Sequence, residues 1–507
     1  MTWQKRLCLK GGAVWRGAGS KIQEGGLLIK GTDIEAVFTP ADAEAAASGS
    51  DEVVDVGGKL LLPPLIDCHV HSNSTLLRGT ENSLPLELWS YHAINYGRGS
   101  TDDGVRYAAL LTDIEMIRNG IGGFIDHFPQ THRAAQAIDA HVQSGLRVGF
   151  APFFADLWDE DILEIPLDRD VVQKIAPLAP KRPQEIRAAF ERIALQISSG
   201  GEGRISLLAG PNAPQRCSEE LWELWRDLQS DFDIGSHTHF LETLPQAKAA
   251  SKRWPDGLTK ALDDAGLLHG RLSLAHGIWI DDRDRERIAK AECTVSYNPL
   301  SNAMLGSGRK RVRDDIGAGV KIALGTDCSN TGGRHDLFEI MRNMLVSGRD
   351  PGSDFDTWIQ PEEVLASATT TGAGALGNGR LTGMLEPGRR ADVLVLDFAT
   401  YGLATSPLTV SSLVSHADSR NVNSLMVDGR WLLKNGVITV FDEKAITAAA
   451  RVHAEELREL ARERMADVES LRPAYGAWQA GVFSAHRCPT CGQTNGPAPQ
   501  TYACSPG

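Results

Sequence analysis

The stretch LLPPLIDCHVHSNSTLLRG, residues 61–79, passes from apolar residues into an aspartate and then two histidines one residue apart. In a β-strand, residues two apart point to the same side. His69 and His71 therefore project together from the end of a buried strand. Seven further runs share this character: GIGGFIDHF (120–128), RVGFAPFFA (147–155), RISLLAGP (204–211), DIGSHTHF (233–240), LSLAHG (272–277), CTVSYNP (293–299) and KIALGTD (321–327). Each is followed by room for a helix, such as SEELWELWRDLQ after the fourth and RDRERIAKA after the sixth. Strands alternating with helices predict an α/β chain with a parallel sheet. A doubly wound open sheet is one form of it, but a count of eight favours closure into a (β/α)8 TIM barrel, expected over residues 63–378.

The ends have a different texture. Residues 1–62 hold short alternating segments with Gly-rich turns, as in GGLLIKGTDIEAVF, and residues 379–441 do the same in MLEPGRRADVLVLDF and NSLMVDGRWLLKNGVITV. These predict strands of one small composite β-sandwich built from both termini. Residues 442–470 read as a long amphipathic helix with Asp442 as N-cap. The turn-rich remainder completes a C-terminal unit, 442–507, of helix and cysteine-containing tail.

The chain has 507 residues and a formal net charge of −13, with 42% hydrophobic and 23% charged residues. That balance suits a soluble globular protein and argues against nucleic acid or an anionic membrane as partner. No run approaches the ~18 continuous apolar residues of a membrane span, and the start MTWQKRLCLKGGAVW lacks the apolar core of a secretion signal. Five of the eight cysteines are scattered singly, which fits a reducing cytoplasm better than a disulfide framework.

Active-site residues of a barrel sit at the C-terminal ends of its strands. Here strand one ends with His69 and His71, strand five with His239 followed by Glu242, strand six with His276 and strand eight with Asp327. Four histidines and two carboxylates thus converge on one rim. Imidazole and carboxylate together suit zinc, and also iron or manganese.

In the ordered set DCHVH, HTHFLE, LAHG, NPLSNAMLGSG and ALGTD, then LEPGRRADVLVLD, the sequence resembles the amidohydrolase superfamily. The resemblance is closest to its aminohydrolase branch, the cytosine, guanine and S-adenosylhomocysteine deaminases with the triazine hydrolases. It covers nearly all of the chain before the tail. It implies that His69, His71, His239 and Asp327 ligate one divalent metal, most often zinc. It implies that Glu242 protonates the substrate, that Asp327 takes the proton of the attacking water and that His276 orients or polarises that water. The fourth strand offers no Lys to be carbamylated as a bridging ligand, which argues for one metal. A homodimer or larger homo-oligomer is implied as well.

The resemblance fails at two places. Tyr297 stands where relatives often carry His before the Asn-Pro of strand seven, and Cys328 replaces the commoner Gly after Asp327. Both positions belong to the expected substrate region, together with Trp89, Phe154 and Trp158 as a candidate aromatic wall and Asn212, Asn298 and Asn302 as polar contacts. Core packing and turn capping are the alternative roles for these residues. His237, His92 and His127 are read as structural. The tail's His486, Cys488, Cys491 and Cys504 offer ligands for a second, structural zinc, but a loose tail or a packing strap is the favoured reading.

The expected function is hydrolysis of a carbon–nitrogen bond by an activated water. The expected substrate is an amino-substituted N-heterocycle of purine, pyrimidine, pterin or triazine type. Cleavage of an amide, urea or carbamate, or of a chloro-triazine carbon–halogen bond, is the alternative. A non-catalytic scaffold is disfavoured because every ligand position is filled.

Overall fold

The structure, a computed structural model, describes residues 5–81, 83–176, 182–349, 353–400 and 402–484. Each of the eight runs forms a strand: β1 (Leu65–Val70), β2 (Ile121–Phe128), β3 (Arg147–Phe154), β4 (Ile205–Leu207, continued by Gly210–Pro211), β5 (Ser236–Phe240), β6 (Leu272–His276), β7 (Thr294–Tyr297) and β8 (Lys321–Leu324). All pairings among them are parallel. The ladders run β1 to β4 and β5 to β8, and two single parallel bridges join them, Ala209 with Ser236 and Val70 with Asp327. The strands close on themselves in a barrel of the TIM type. Strands covered by helices outside and side chains inside must be apolar on both faces, and every residue of β1 and β2 is buried.

The helices between strands are cut where their ends are capped. Ser218 accepts from Leu221 N to start Glu219–Phe232, and Asp281 with Asp284 forms a capping box on Asp282–Lys290.

The two termini share one nine-stranded sheet. Its junction is the antiparallel pair Lys59–Leu62 with Val393–Asp397, which places Leu62 opposite Leu394 and Leu60 opposite Leu396. Eight of the strands follow one hydrogen-bonded path, and the ninth, Glu52–Asp55, branches from it by pairing in parallel with Arg6–Val14. Leu7, Leu9, Leu27, Ile29, Val393, Val395 and Met426 share an apolar cluster on it. A buried guanidinium ties this sheet to the barrel. Arg147, at the start of β3, donates to both oxygens of Asp392, at 2.6 and 2.9 Å, and to Asp428.

Asp442 caps the long C-terminal helix as expected, accepting from Ala445 N, but the helix is not continuous to 470. It runs Glu443–Arg462 and restarts as Met465–Ser470. Asn95 Nδ2 takes the carbonyl of Ala461 at 3.0 Å, and Asn95 Oδ1 accepts from Arg464 Nε at 3.0 Å. A side chain that competes for helix carbonyls ends the helix there. A third helix, Arg472–Ser484, follows it. His486, Cys488, Cys491 and Cys504 lie outside the described residues. No helix among the described residues is long and apolar enough to cross a membrane.

Candidate active site

The expected metal ligands meet at one end of the barrel. His69 and His71 present Nε2 at 3.4 and 3.3 Å from Asp327 Oδ1, and His239 Nε2 lies 3.4 Å from His71 Nε2. The opposite ring nitrogens are tied back to the scaffold. His71 Nδ1 bonds the His127 carbonyl at 2.5 Å, His239 Nδ1 the Asn212 carbonyl at 2.6 Å and His69 Nδ1 the Nε2 of His237 at 2.7 Å. A carbonyl can only accept, so Nδ1 of His71 and His239 carries the proton and Nε2 keeps its lone pair for a ligand.

Burial drives His239 well below the ordinary imidazole range and His69 to about 4, so both stay neutral, as metal ligands must be. For His71 burial pulls the same way, but its contact with Asp327 raises it overall. Burial pushes the Asp327 carboxyl up, yet His69, His71 and His276 outweigh that and hold it well below its usual range. Asp327 is further fixed by Ser301 Oγ, which donates to Oδ2 at 2.7 Å, and by Cys328 N, which donates to Oδ1 at 2.8 Å. His69 Nε2 and His276 Nε2 are buried without a hydrogen-bond partner. Such atoms are expected where something else is to be held.

The donor set therefore fits a divalent cation. His69, His71 and His239 bring ligand nitrogens within 4.8 Å of one another, as do the donor atoms of His69, His276 and Asp327. Imidazole with carboxylate is the chemistry of zinc.

Glu242 and His276 complete the rim. Glu242 Oε2 lies 3.5 Å from His276 Nε2, which is in turn 3.8 Å from Asp327 Oδ2. Glu242 Oε1 accepts from Ser307 Oγ at 3.1 Å. Burial raises the Glu242 carboxyl to about 7, so at neutral pH it can hold a proton to give. The ring of His276 is set by Asn302 Oδ1, 2.8 Å from its Nδ1, with Asn298 Nδ2 3.3 Å from the same atom.

Three of these positions carry backbone strain. Leu241, His276 and Asp327 adopt φ of +40°, +71° and +66°. Non-glycine residues avoid the left-handed region, and where they persist in it the surrounding structure over-determines them. Gly325 answers another need. A Cβ there would meet Asn298 Oδ1 at 2.3 Å and the His69 Cβ at 2.9 Å, so only glycine lets β8 approach His69 this closely.

The expected substrate residues separate. Trp89 is buried in an apolar cluster that Cys328 also touches, and Trp158 stands just before the short helix Asp159–Ile162. Asn212 gives its carbonyl to His239 and accepts from Arg216 at 2.6 Å through Oδ1. Phe154 packs on Phe190 in the main core, and it is Phe153 whose ring sits 5.6 Å from both His71 and His239. Strand alternation explains this, since the residue one earlier faces the interior. Tyr297 is buried in the same core as Phe154, and Asn298 is the one beside His276.

Sequence reasoning passed over Ser301 and Ser307, although both lie in the quoted motif NPLSNAMLGSG. It also gave no partner to His237, which supports His69 from below and is itself held by Ser273 at 2.9 Å. Its period-two spacing from His239 was the available signal.

The amidohydrolase family matches residues 60–432. A 5'-deoxyadenosine deaminase of Methanosarcina acetivorans is 31% identical over 419 residues, covering 82% of this chain and 90% of that protein. A 5-methylthioadenosine/S-adenosylhomocysteine deaminase of Desulforamulus reducens is 28% identical, covering 89% and 99%. Among solved structures, a zinc-bound adenosine deaminase from Xanthomonas campestris superposes with a TM-score of 0.78 at 23% identity, covering 89% of this chain and 98% of that one. Its contribution is the fold alone, but the family match and the first relative suffice: this chain belongs to the amidohydrolase family and is a metal-dependent hydrolase of carbon–nitrogen bonds.

Proposed function

We propose that the enzyme removes the exocyclic amino group of an adenosine-type nucleoside as ammonia, using one zinc ion held by His69, His71, His239 and Asp327. The observation that carries this is the convergence of those four donors with Glu242 and His276 on one buried rim. The names of the curated relatives, deaminases of 5'-deoxyadenosine and of 5-methylthioadenosine and S-adenosylhomocysteine, narrow the heterocycle to adenine.

A zinc ion in such a site supplies Lewis acidity that lowers the pKa of water towards about 7. The protein's own groups do the rest. Asp327, ionised because its imidazole neighbours hold its pKa low, accepts the proton of the attacking water. His276, between Glu242 and Asp327, orients that water towards the amine-bearing carbon. Glu242, protonated through burial, gives its proton to the ring nitrogen as the carbon–oxygen bond forms. As the carbon–nitrogen bond breaks, its electron pair leaves with the amino nitrogen, which takes the proton held by Asp327 and departs as ammonia, while the hydroxyl proton passes to Glu242 and the carbon keeps the oxygen as a carbonyl. One carboxylate kept basic beside one kept acidic is the division of labour that hydrolysis needs.

The proposal extends to the layout set out above: barrel over 63–378, with 1–62 and 379–441 as a composite sandwich and 442–507 as a C-terminal unit. It extends also to a cytoplasmic homo-oligomer. The test is ammonia release over adenosine-type nucleosides, set beside aminated pyrimidines, pterins and triazines. Turnover confined to the non-adenine compounds would overturn the substrate class. Release of chloride or an amide product with no ammonia would overturn deamination.

A further inference from the structure

The helix Arg472–Ser484 lies beyond the residues matched by the family, yet it reaches the catalytic end of the barrel. Tyr475 is 2% exposed, and its hydroxyl donates to Glu87 Oε2 at 2.8 Å. The other oxygen of Glu87 accepts from Thr243 Oγ1 at 2.6 Å. Thr243 adjoins Glu242 and caps helix Leu244–Arg253 by accepting from Gln246 N. Gln246 Oε1 accepts from the Glu242 backbone N at 3.0 Å. A hydrogen-bonded path thus runs from the C-terminal helix through a buried carboxylate to the turn that carries Glu242.

Packing supports the same path. Tyr475 shares an apolar cluster with Leu88, Trp89, Leu305 and Leu471, and Cys328, next to Asp327, packs against it. Lys248 Nζ donates to the Val482 carbonyl at 2.6 Å, which pins the helix from the other side. A buried carboxylate is costly unless its hydrogen bonds are met. Glu87 draws its two donors from segments 232 positions apart, 475 − 243. Neither donor can be withdrawn without leaving that carboxylate short, so the two segments are coupled. The turn they fix contains Leu241, held at a φ of +40°, a conformation that needs outside support.

We infer that Tyr475 and Glu87 are positioning residues of the reaction. Together they hold the Leu241–Thr243 turn so that Glu242 faces His276, and they make helix Arg472–Ser484 the outer wall of the pocket. The inference rests on Glu242 being the acid. Tyr475→Phe in the full chain removes one oxygen atom and keeps the ring. With 5'-deoxyadenosine as the probe, its kcat is expected to fall about tenfold, the value of one hydrogen bond to a charged group, with KM and metal content unchanged. Thr243→Val should fall similarly and Thr243→Ser should retain activity. The double variant Tyr475→Phe/Thr243→Val should lose little more than either single one, because both act through Glu87. Should Tyr475→Phe fail to fold, Glu87→Gln, which leaves one oxygen for two donors, takes its place with the same expectation.

Glu242→Gln is run alongside. If it retains turnover, the acid assignment falls and the positioning role with it. If it is inactive while Tyr475→Phe has wild-type kcat, or if the two losses in the double variant simply multiply, the positioning role alone is overturned.

Discussion

Replacing Glu242 by Gln isolates proton donation from everything else at the rim. The amide is nearly isosteric and keeps an oxygen for the Ser307 hydroxyl, which donates to Glu242 Oε1 at 3.1 Å. In the proposed site it makes no bond to the cation, because His239 is the donor assigned to this segment. Fold and metal content should therefore be unchanged. What is lost is the proton, and a positioned acid or base is worth about 10²–10⁴-fold in rate. The pH profile gives a second handle. Burial holds the Glu242 carboxyl up to about 7, so the protonated acid is present below that value and is lost as pH rises through it. Above it, kcat on an amine-releasing substrate should fall about tenfold per pH unit. A cation held by the imidazoles draws the carboxyl down, so with metal bound the limb sits at or below about 7. Asp327, held well below its usual range, contributes no limb near neutrality. Ammonia release measured from pH 5 to 9 should show a descending limb in the wild type that is missing from the low profile of Glu242→Gln. Near-normal rates in the variant, or an unchanged descending limb, would refute the assignment of Glu242 as the acid.

Asp327→Asn should lose metal and turnover together, since a neutral amide is a poor ligand and cannot take a proton; metal analysis showing full occupancy would contradict this. Purified protein should hold about one tightly bound transition metal per chain at the barrel. The count is repeated after deleting 485–507, because two metals remaining in that variant would sink the mononuclear site. Serine at Cys488, Cys491 and Cys504 should leave metal content unchanged, and loss of one equivalent would establish a zinc in the tail. Arg147→Met should destabilise the protein by about 3–5 kcal/mol, because it strands the buried carboxylate of Asp392 and removes the nearest cation of the half-buried Asp428. A chemical denaturation midpoint within error of wild type would mean that this contact does not hold sheet and barrel together.

The barrel was legible because its strands are buried on both faces and short, so each stands out as an apolar run with a polar end. The histidines and the aspartate that meet at one end of the barrel stood out for the same reason: at a strand end a polar residue has no packing reason to be there. Residues whose roles depend on which neighbour approaches were not legible. Phe153 and Phe154 are identical in kind, and only the register of β3 with β2, Phe128 opposite Pro152, fixes which one faces His239. Tyr297 and Asn298 are divided in the same way. The break near Arg464 could not be read from a helix whose own pattern continues, because its cause, Asn95, lies 366 positions from the Ala461 carbonyl that it takes. The terminal strands were recognised, but how they pair was not, since alternation gives the faces of a strand and not its neighbour.

The seam of the barrel explains why the site forms where it does. The last strand must meet the first, and here the contact is made by the site residues themselves. Asp327 N donates to the His69 carbonyl at 2.8 Å, and Thr326 donates through N and Oγ1 to the two oxygens of Asp67, at 3.0 and 2.6 Å. Asp67 is wholly buried, and its backbone neighbour His69 also donates to it, at 3.3 Å. Val70 bridges to Asp327 across the same gap. Among the described residues, the strands that carry His69, His71 and Asp327 are thus joined through Asp67, His69, Val70, Thr326 and Asp327. Closing the barrel and bringing the donors together are then one event. The apolar runs that make the strands carry the cost of gathering neutral imidazoles and an ionised carboxylate in a dry interior, and a strained backbone at His276 and Asp327 can persist because closure leaves it no other place to go.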